Sequence, residues 1–448
     1  MRRSFIFIFC LFFSVKAFCF SDVLGIPDSS DLRGKYFNQW FTLDTMELLN
    51  MPTQILVSST GSVFRVSMID SGGEVGISVV PRKLDYTFEN QASGAWHLYR
   101  DKLTGDITRI IYFFQEDSDV FVQIRPGNPK NKLDFVIKGA YAAKNVPFGL
   151  PFNQIIRLSF FDLYQSTKLI LPWHFVKTNL YNYINIRDMI EIIRDSLPIF
   201  EYVDDATYDE NADAIFASTG EKRAETPAKI AVDSKGFVKW LVDSLLFSVN
   251  NELVDMKTVS KNTVATANSR FADNYEKNNT YITLDWTRNL ANHLVSFTSG
   301  HSVSEQQSGI NVMQDFFYGY ADSLEKHQPV SYLEDAGYPM RILPAVLYVM
   351  SVQHPSYFFL GAVRKSITGD EDSTFSFDEA VAFFPHFDSS EKFKVVMFGS
   401  GAELDFEEFC KINGDNMVHL VCVKASDRFV PFTQNVRNLS RSGLISEE

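Results

Sequence analysis

Between Gln54 and Ile137 the chain has the pattern of strands, short apolar runs alternating with turn-forming clusters. Gln54–Ser59, Val63–Ile69 and Val75–Val80 are runs rich in Val and Ile, separated by Gly61-Ser62 and Ser71-Gly72-Gly73. Trp96–Tyr99, Ile107–Phe114, Val120–Arg125 and Leu133–Ile137 continue the series. Lys102-Leu103-Thr104-Gly105-Asp106, Glu116-Asp117-Ser118-Asp119 and Pro126-Gly127-Asn128-Pro129 break it. β-Branched and aromatic residues suit a pleated surface, and Gly, Asp and Asn tolerate the tight backbone of turns. The pattern predicts a run of hairpins, and closely spaced strands of this kind close as an antiparallel sandwich or barrel. A β-rich domain is therefore expected over residues 22–170.

The remainder reads as α+β. In residues 171–230, Ile186, Met189, Ile190, Ile193 and Leu197 recur at helical spacing and predict a helix over Ile186–Leu197. From Asp204 to Ala231 the composition turns polar, small and acidic, which predicts a linker or long surface loop. Residues 231–435 are expected to form a second domain, with a polar tail over 436–448. Helices are predicted at Ser234–Val249, Asp285–Val295, Ile310–Lys326 and Leu404–Ile412. Strands are predicted at Tyr357–Val363, Ala380–Phe384, Phe393–Phe398 and Met417–Val423. A length of 448 residues suits two or three cores, at roughly 100–200 residues per domain.

Arg2 and Arg3 precede an apolar run from Phe5 to Val15, and Lys16-Ala17-Phe18-Cys19-Phe20-Ser21 follows. A charged start, an apolar middle and small residues at the end make the order of a secretory signal peptide. The run is far shorter than the roughly 20 residues of a spanning helix. Residues 1–21 are thus expected to be cleaved, after Ala17 or Ser21, leaving an exported periplasmic or extracellular chain with no transmembrane helix. Neither Cys10 nor Cys19 follows a small residue, as a lipidated cysteine would. Net charge is −13 with acidic and basic residues intermixed, so the lysine and arginine clusters that bind nucleic acid are missing. After cleavage at Ser21 only Cys410 and Cys422 remain, flanking the turn Gly414-Asp415-Asn416. An oxidising compartment permits a disulfide there; two buried thiols are the alternative. No His-Glu-x-x-His, paired-cysteine spacing, phosphate loop or dinucleotide fingerprint occurs, and neither metal nor cofactor is expected. Ser323-Leu324-Glu325-Lys326 and Ser389-Ser390-Glu391-Lys392 match Ser-x-x-Lys without the companion elements of that chemistry.

Asp233-Ser234-Lys235-Gly236-Phe237-Val238 opens the predicted Ser234 helix. Asp and Ser both favour the N-cap, where a side-chain oxygen accepts a free backbone N–H. A nucleophile in that position gains from the helix dipole, but a serine hydroxyl needs an adjacent base as well. The stretch resembles the Asp-Cys-Ser-Gly-Phe-Val signature of NlpC-type cell-wall cysteine peptidases, with Ser234 at the cysteine and Lys235 at the serine. The resemblance implies a papain-like C-terminal domain over residues 231–435 and a histidine opening a later strand. The counterpart of that strand is Glu379-Ala380-Val381-Ala382-Phe383-Phe384, which puts Glu379 where the histidine belongs. The third polar residue of the family's site falls near Phe398.

The resemblance therefore implies a peptidase fold without its thiol and imidazole: a secreted envelope protein that binds cell-wall peptide (peptidoglycan) or a partner protein. Asp233, Ser234, Trp240, Glu379 and His386 are the candidates for a retained groove. The alternative is a hydrolase using Ser234 as nucleophile, with His386, His354 or His419 recruited as base. Phenylalanine doublets, among them Phe113-Phe114, Phe160-Phe161, Phe316-Phe317, Phe358-Phe359 and Phe383-Phe384, would place one ring on each face of a strand, chiefly for packing.

Overall fold

The computed structural model describes residues 25–176, 179–224, 228–264, 280–303, 305–314, 332–367 and 374–433. The leader, the polar tail, Phe316-Phe317, the Ser323–Lys326 motif and most of the predicted helix Ile310–Lys326 lie outside them.

The chain folds as a mixed α/β molecule around two antiparallel sheets. The first comprises β1 (Gln54–Val57), β2 (Val63–Ser71), β3 (Glu74–Pro81), β4 (Trp96–Asp101), β5 (Ile107–Tyr112), β6 (Val120–Arg125), β7 (Asn131–Ile137) and β8 (Ala140–Phe148). Each strand pairs with the next in chain order, so the sheet is a meander whose edges are β1 and β8. It is one open layer rather than the expected sandwich or barrel. Its apolar face carries Val66, Ile77, Leu98, Ile110, Val122 and Phe135, all fully buried. Four short helices help to cover that face: α1 (Ser30–Lys35), α2 (Phe37–Thr42), α3 (Thr45–Leu49) and α4 (Phe160–Thr167). Covering a sheet face with helices removes its apolar area from water without a second β-layer.

The stretch expected as a linker is structured. After α5 (Ile184–Ser196), strand β9 (Phe200–Tyr202) pairs in parallel with β12 (Ile230–Val232), while β10 (Ala206–Tyr208) and β11 (Ala214–Phe216) form a hairpin. Its polar residues occupy turns, but Ala206, Thr207 and Tyr208 are buried.

The second sheet has the order β13 (Tyr338–Pro339), β18 (Met417–Lys424), β14 (Tyr357–Ile367), β15 (Thr374–Phe387), β16 (Phe393–Gly399), β17 (Ala402–Leu404). Helices α6 (Ser234–Asn250) and α7 (Ile282–Ser299) pack on one face, against Phe358, Leu360, Ala380, Ala382, Phe384 and Phe398. The other face, with Phe359, Val381, Phe383 and Met397, belongs to the same core as the first sheet. The two phenylalanine doublets thus split between faces, as strand alternation requires. Helix α8 (Leu343–Gln353) joins the sheets. Its Tyr348 hydroxyl accepts from Gln115 Nε2 at 2.8 Å and donates to the Phe175 carbonyl at 2.8 Å, and its ring meets Phe387 and Phe393. The last helix is α9 (Phe406–Ile412). Among the described residues, no helix is long and apolar enough to cross a membrane.

Candidate functional site

Helix α6 begins as the sequence predicts. Asp233 caps it, accepting the Gly236 N–H at 2.8 Å, and also holds Lys235 Nζ at 2.6 Å. Gly236 is required by a neighbouring backbone: a Cβ there would stand 2.5 Å from the Ala206 carbonyl oxygen. Strand β10 is pinned against this helix start by a second bond, from Asp233 N–H to the same carbonyl at 2.8 Å.

Ser234 faces β15. Its Oγ accepts the Ala380 N–H at 3.2 Å, and the residue is 8% exposed. The sequence-predicted pair, Ser234 and the strand opening at Glu379, is therefore brought together. Glu379 itself forms an ion pair with Lys365 Nζ at 3.2 Å on the adjacent strand. Among the described residues no histidine hydrogen-bonds to Ser234. His386 lies six residues along β15 from Ala380, about 20 Å at 3.3 Å per residue. It is buried, its Nδ1–H donating to the Phe384 carbonyl at 3.1 Å, and burial lowers its pKa. Trp240 is no groove residue: it is fully buried and donates to the Phe432 carbonyl at 2.9 Å. Phe398 is core. Without a base, the Ser234 hydroxyl remains a weak nucleophile.

His419 comes nearest in register. It pairs with Ala362, which pairs with Ala380, so two strand spacings, about 10 Å, separate its backbone from that of Ala380. Fully buried Ala362 and Leu284 pack together over the intervening strand. His419 Nε2 accepts from Arg288 Nη2 and from the Tyr332 hydroxyl, each at 3.0 Å. Arg288 also binds Asp335 at 2.7 Å. Burial, then the Arg288 charge, holds the imidazole neutral far below its usual pKa. His419 is thus committed to a buried network joining α7 to the sheet. Spacing could not reveal this, since its members lie in three separate stretches of chain.

A serine–histidine contact does occur in the first sheet, where Ser78 Oγ and His97 Nε2 are 3.0 Å apart on paired strands. Both residues are buried, and burial pushes the His97 pKa down to about 4, which makes it a poor base and leaves no route for substrate. Cys410 and Cys422 are free thiols rather than a disulfide, their pKa values raised by burial to about 12 and about 11. A thiol so raised is unreactive at neutral pH. Ser389–Lys392 occupies the β15–β16 turn, as expected of a polar turn. Among the described residues no group of histidine, cysteine and carboxylate side chains could hold a metal ion.

A cleft of about 1340 Å³ opens where the two sheets meet. The β3–β4 loop, the β5–β6 and β7–β8 turns and the start of α8 form one wall; β16, β17 and α9 form the other. Glu89 joins the walls, pairing with Lys83 at 2.7 Å on its own side and with Lys392 at 3.2 Å on the opposite one. Lys83, then Lys392, hold the Glu89 carboxyl below its usual pKa, against the opposing effect of burial. The sequence offered no sign of this cleft, because its walls come from distant segments.

Taken together, these contacts define a two-sheet protein with a buried serine at a helix start and an open polar cleft. Residues 22–175, about a third of the chain, match the model of a family described as Domain of unknown function (DUF8515). No curated protein and no solved structure matches the chain.

Proposed function

We propose that this is an exported, non-catalytic binding protein of the cell envelope. In this reading its C-terminal half is an NlpC-type, papain-like domain that has lost its peptidase chemistry, and its ligand is a cell-wall peptide. One observation carries the reading. Where the resembled peptidases place a thiol beside an imidazole, Ser234 Oγ is spent on the Ala380 N–H and the facing residue is Glu379, paired with Lys365. A helix start packed on a strand, with no proton acceptor hydrogen-bonded to its serine among the described residues, supports this reading. Trp240 and His386 are engaged within the protein, so the inter-sheet cleft is the better place for a ligand.

Two measurements test this. A fluorophosphonate probe should leave the mature chain unlabelled; labelling that disappears in Ser234→Ala would overturn the non-catalytic reading. Fluorescent peptidoglycan fragments should bind saturably and be displaced by Gln91→Trp, which places an indole on an exposed lining residue of the cleft. Absence of binding to every wall fragment would remove the peptidoglycan ligand.

A further inference from the structure

The inter-sheet cleft carries a charge pattern that selects among peptides, and this inference rests on the reading above that the cleft is the binding site. We propose that it takes an extended peptide segment whose amine or guanidinium groups alternate with apolar residues. Size gives the first indication. At about 1340 Å³ the cleft exceeds the roughly 300–1,000 Å³ of pockets that enclose small molecules, and it is open to solvent.

Charge gives the second. Seven carboxylates and three lysines line the cleft. Some of the carboxylates are already neutralised within the protein: Lys138 serves Asp117 at 2.8 Å and Asp119 at 3.4 Å, and Arg194 grips Glu403 at 2.7 and 2.8 Å. The start of α9 is different. Asp405 only caps the helix, accepting the Glu408 N–H at 2.8 Å, and Glu407 has no ion pair or hydrogen-bonded partner among the described residues. Beside them Phe393, Leu404 and Phe406 supply an apolar lining. A cationic side chain would meet these two carboxylates while a neighbouring apolar one rests on that lining; an anionic side chain placed there would be repelled by both. The Glu89–Lys392 pair is partly exposed on both sides and so is readily exchanged for a ligand cation at Glu89.

Fluorescence anisotropy of the mature full-length chain with two labelled pentapeptides, Lys-Phe-Lys-Phe-Lys and Glu-Phe-Glu-Phe-Glu, tests the proposal. The lysine peptide should bind, more weakly at high salt, and the glutamate peptide should not. Asp405→Asn with Glu407→Gln should weaken the lysine peptide about tenfold. Asn is as good a cap as Asp, so this variant keeps the helix start. Equal binding of both peptides, blocked by Gln91→Trp but indifferent to the charge variant, would overturn charge selection and leave the cleft reading standing. Lysine-peptide binding that survives Gln91→Trp would remove the cleft as the site, and failure of both peptides to bind would overturn this inference.

Discussion

Gly236 shows what a single residue can decide. Its φ is not in the left-handed region, so no turn demands glycine; the Ala206 carbonyl does, by lying where a Cβ would be. Gly236→Ala should therefore destabilise by roughly 1–3 kcal/mol, the usual range for overpacking, measured by urea unfolding. An unchanged midpoint would mean that β10 can move away freely. Buried histidines make the second residue-scale prediction. His97 is neutral in the fold with a pKa of about 4, against about 6.5 when unfolded. A lowered pKa of this kind contributes stability that is complete above pH about 6.5 and is lost as pH falls towards 4, because the unfolded state takes up the proton first. His97 alone should cost about 2 kcal/mol between pH 7 and pH 5. His419 acts with the same sign. His97→Gln should flatten the dependence; an unchanged acid slope in that variant would refute the assignment.

Among the elements, α8 is the one that periodicity cannot detect. Leu343-Pro344-Ala345-Val346-Leu347-Tyr348-Val349-Met350 is apolar on every side, because one sheet or the other faces nearly all of it. A helix buried all round has no polar stripe to betray it. The opposite case is α6, whose start was legible from Asp233 and Ser234 because capping is a local demand. Strand β8 was missed for another reason: Ala, Lys, Asn and Pro are poor strand formers, and its register shifts against β7, so it lacks clean alternation. Tyr348→Phe tests how α8 holds the sheets together. It strips partners from both the Gln115 amide and the Phe175 carbonyl, in a buried setting. A loss of roughly 1–3 kcal/mol is expected from denaturant unfolding, and a neutral substitution would show that the hydroxyl is dispensable.

At the scale of the whole molecule, the two sheets share one apolar core, so they should unfold together. Tryptophans report on both halves, Trp40, Trp96 and Trp173 from the first and Trp240 and Trp286 from the second. Tryptophan fluorescence and far-ultraviolet circular dichroism should give coincident urea transitions; two separated steps would refute a common core. Residues 22–175 expressed alone should bind a hydrophobic dye and lack a cooperative transition, because α8 and the second sheet no longer cover the apolar side of the meander. Strands β1 to β7, β14 to β16 and β18, and helices α5 to α7, were legible in the sequence, while the meeting of Ser234 with the strand at Glu379 was implied by the resemblance. Those strands and helices rest on spacing, caps or turns within one short stretch of chain. The open meander, the shared core, the burial of Trp240, the commitment of His419 to Arg288 and the cleft between the sheets were decided only in the tertiary structure. Each depends on which distant surfaces meet, and apolar burial drives that meeting without leaving a local pattern that specifies the partner.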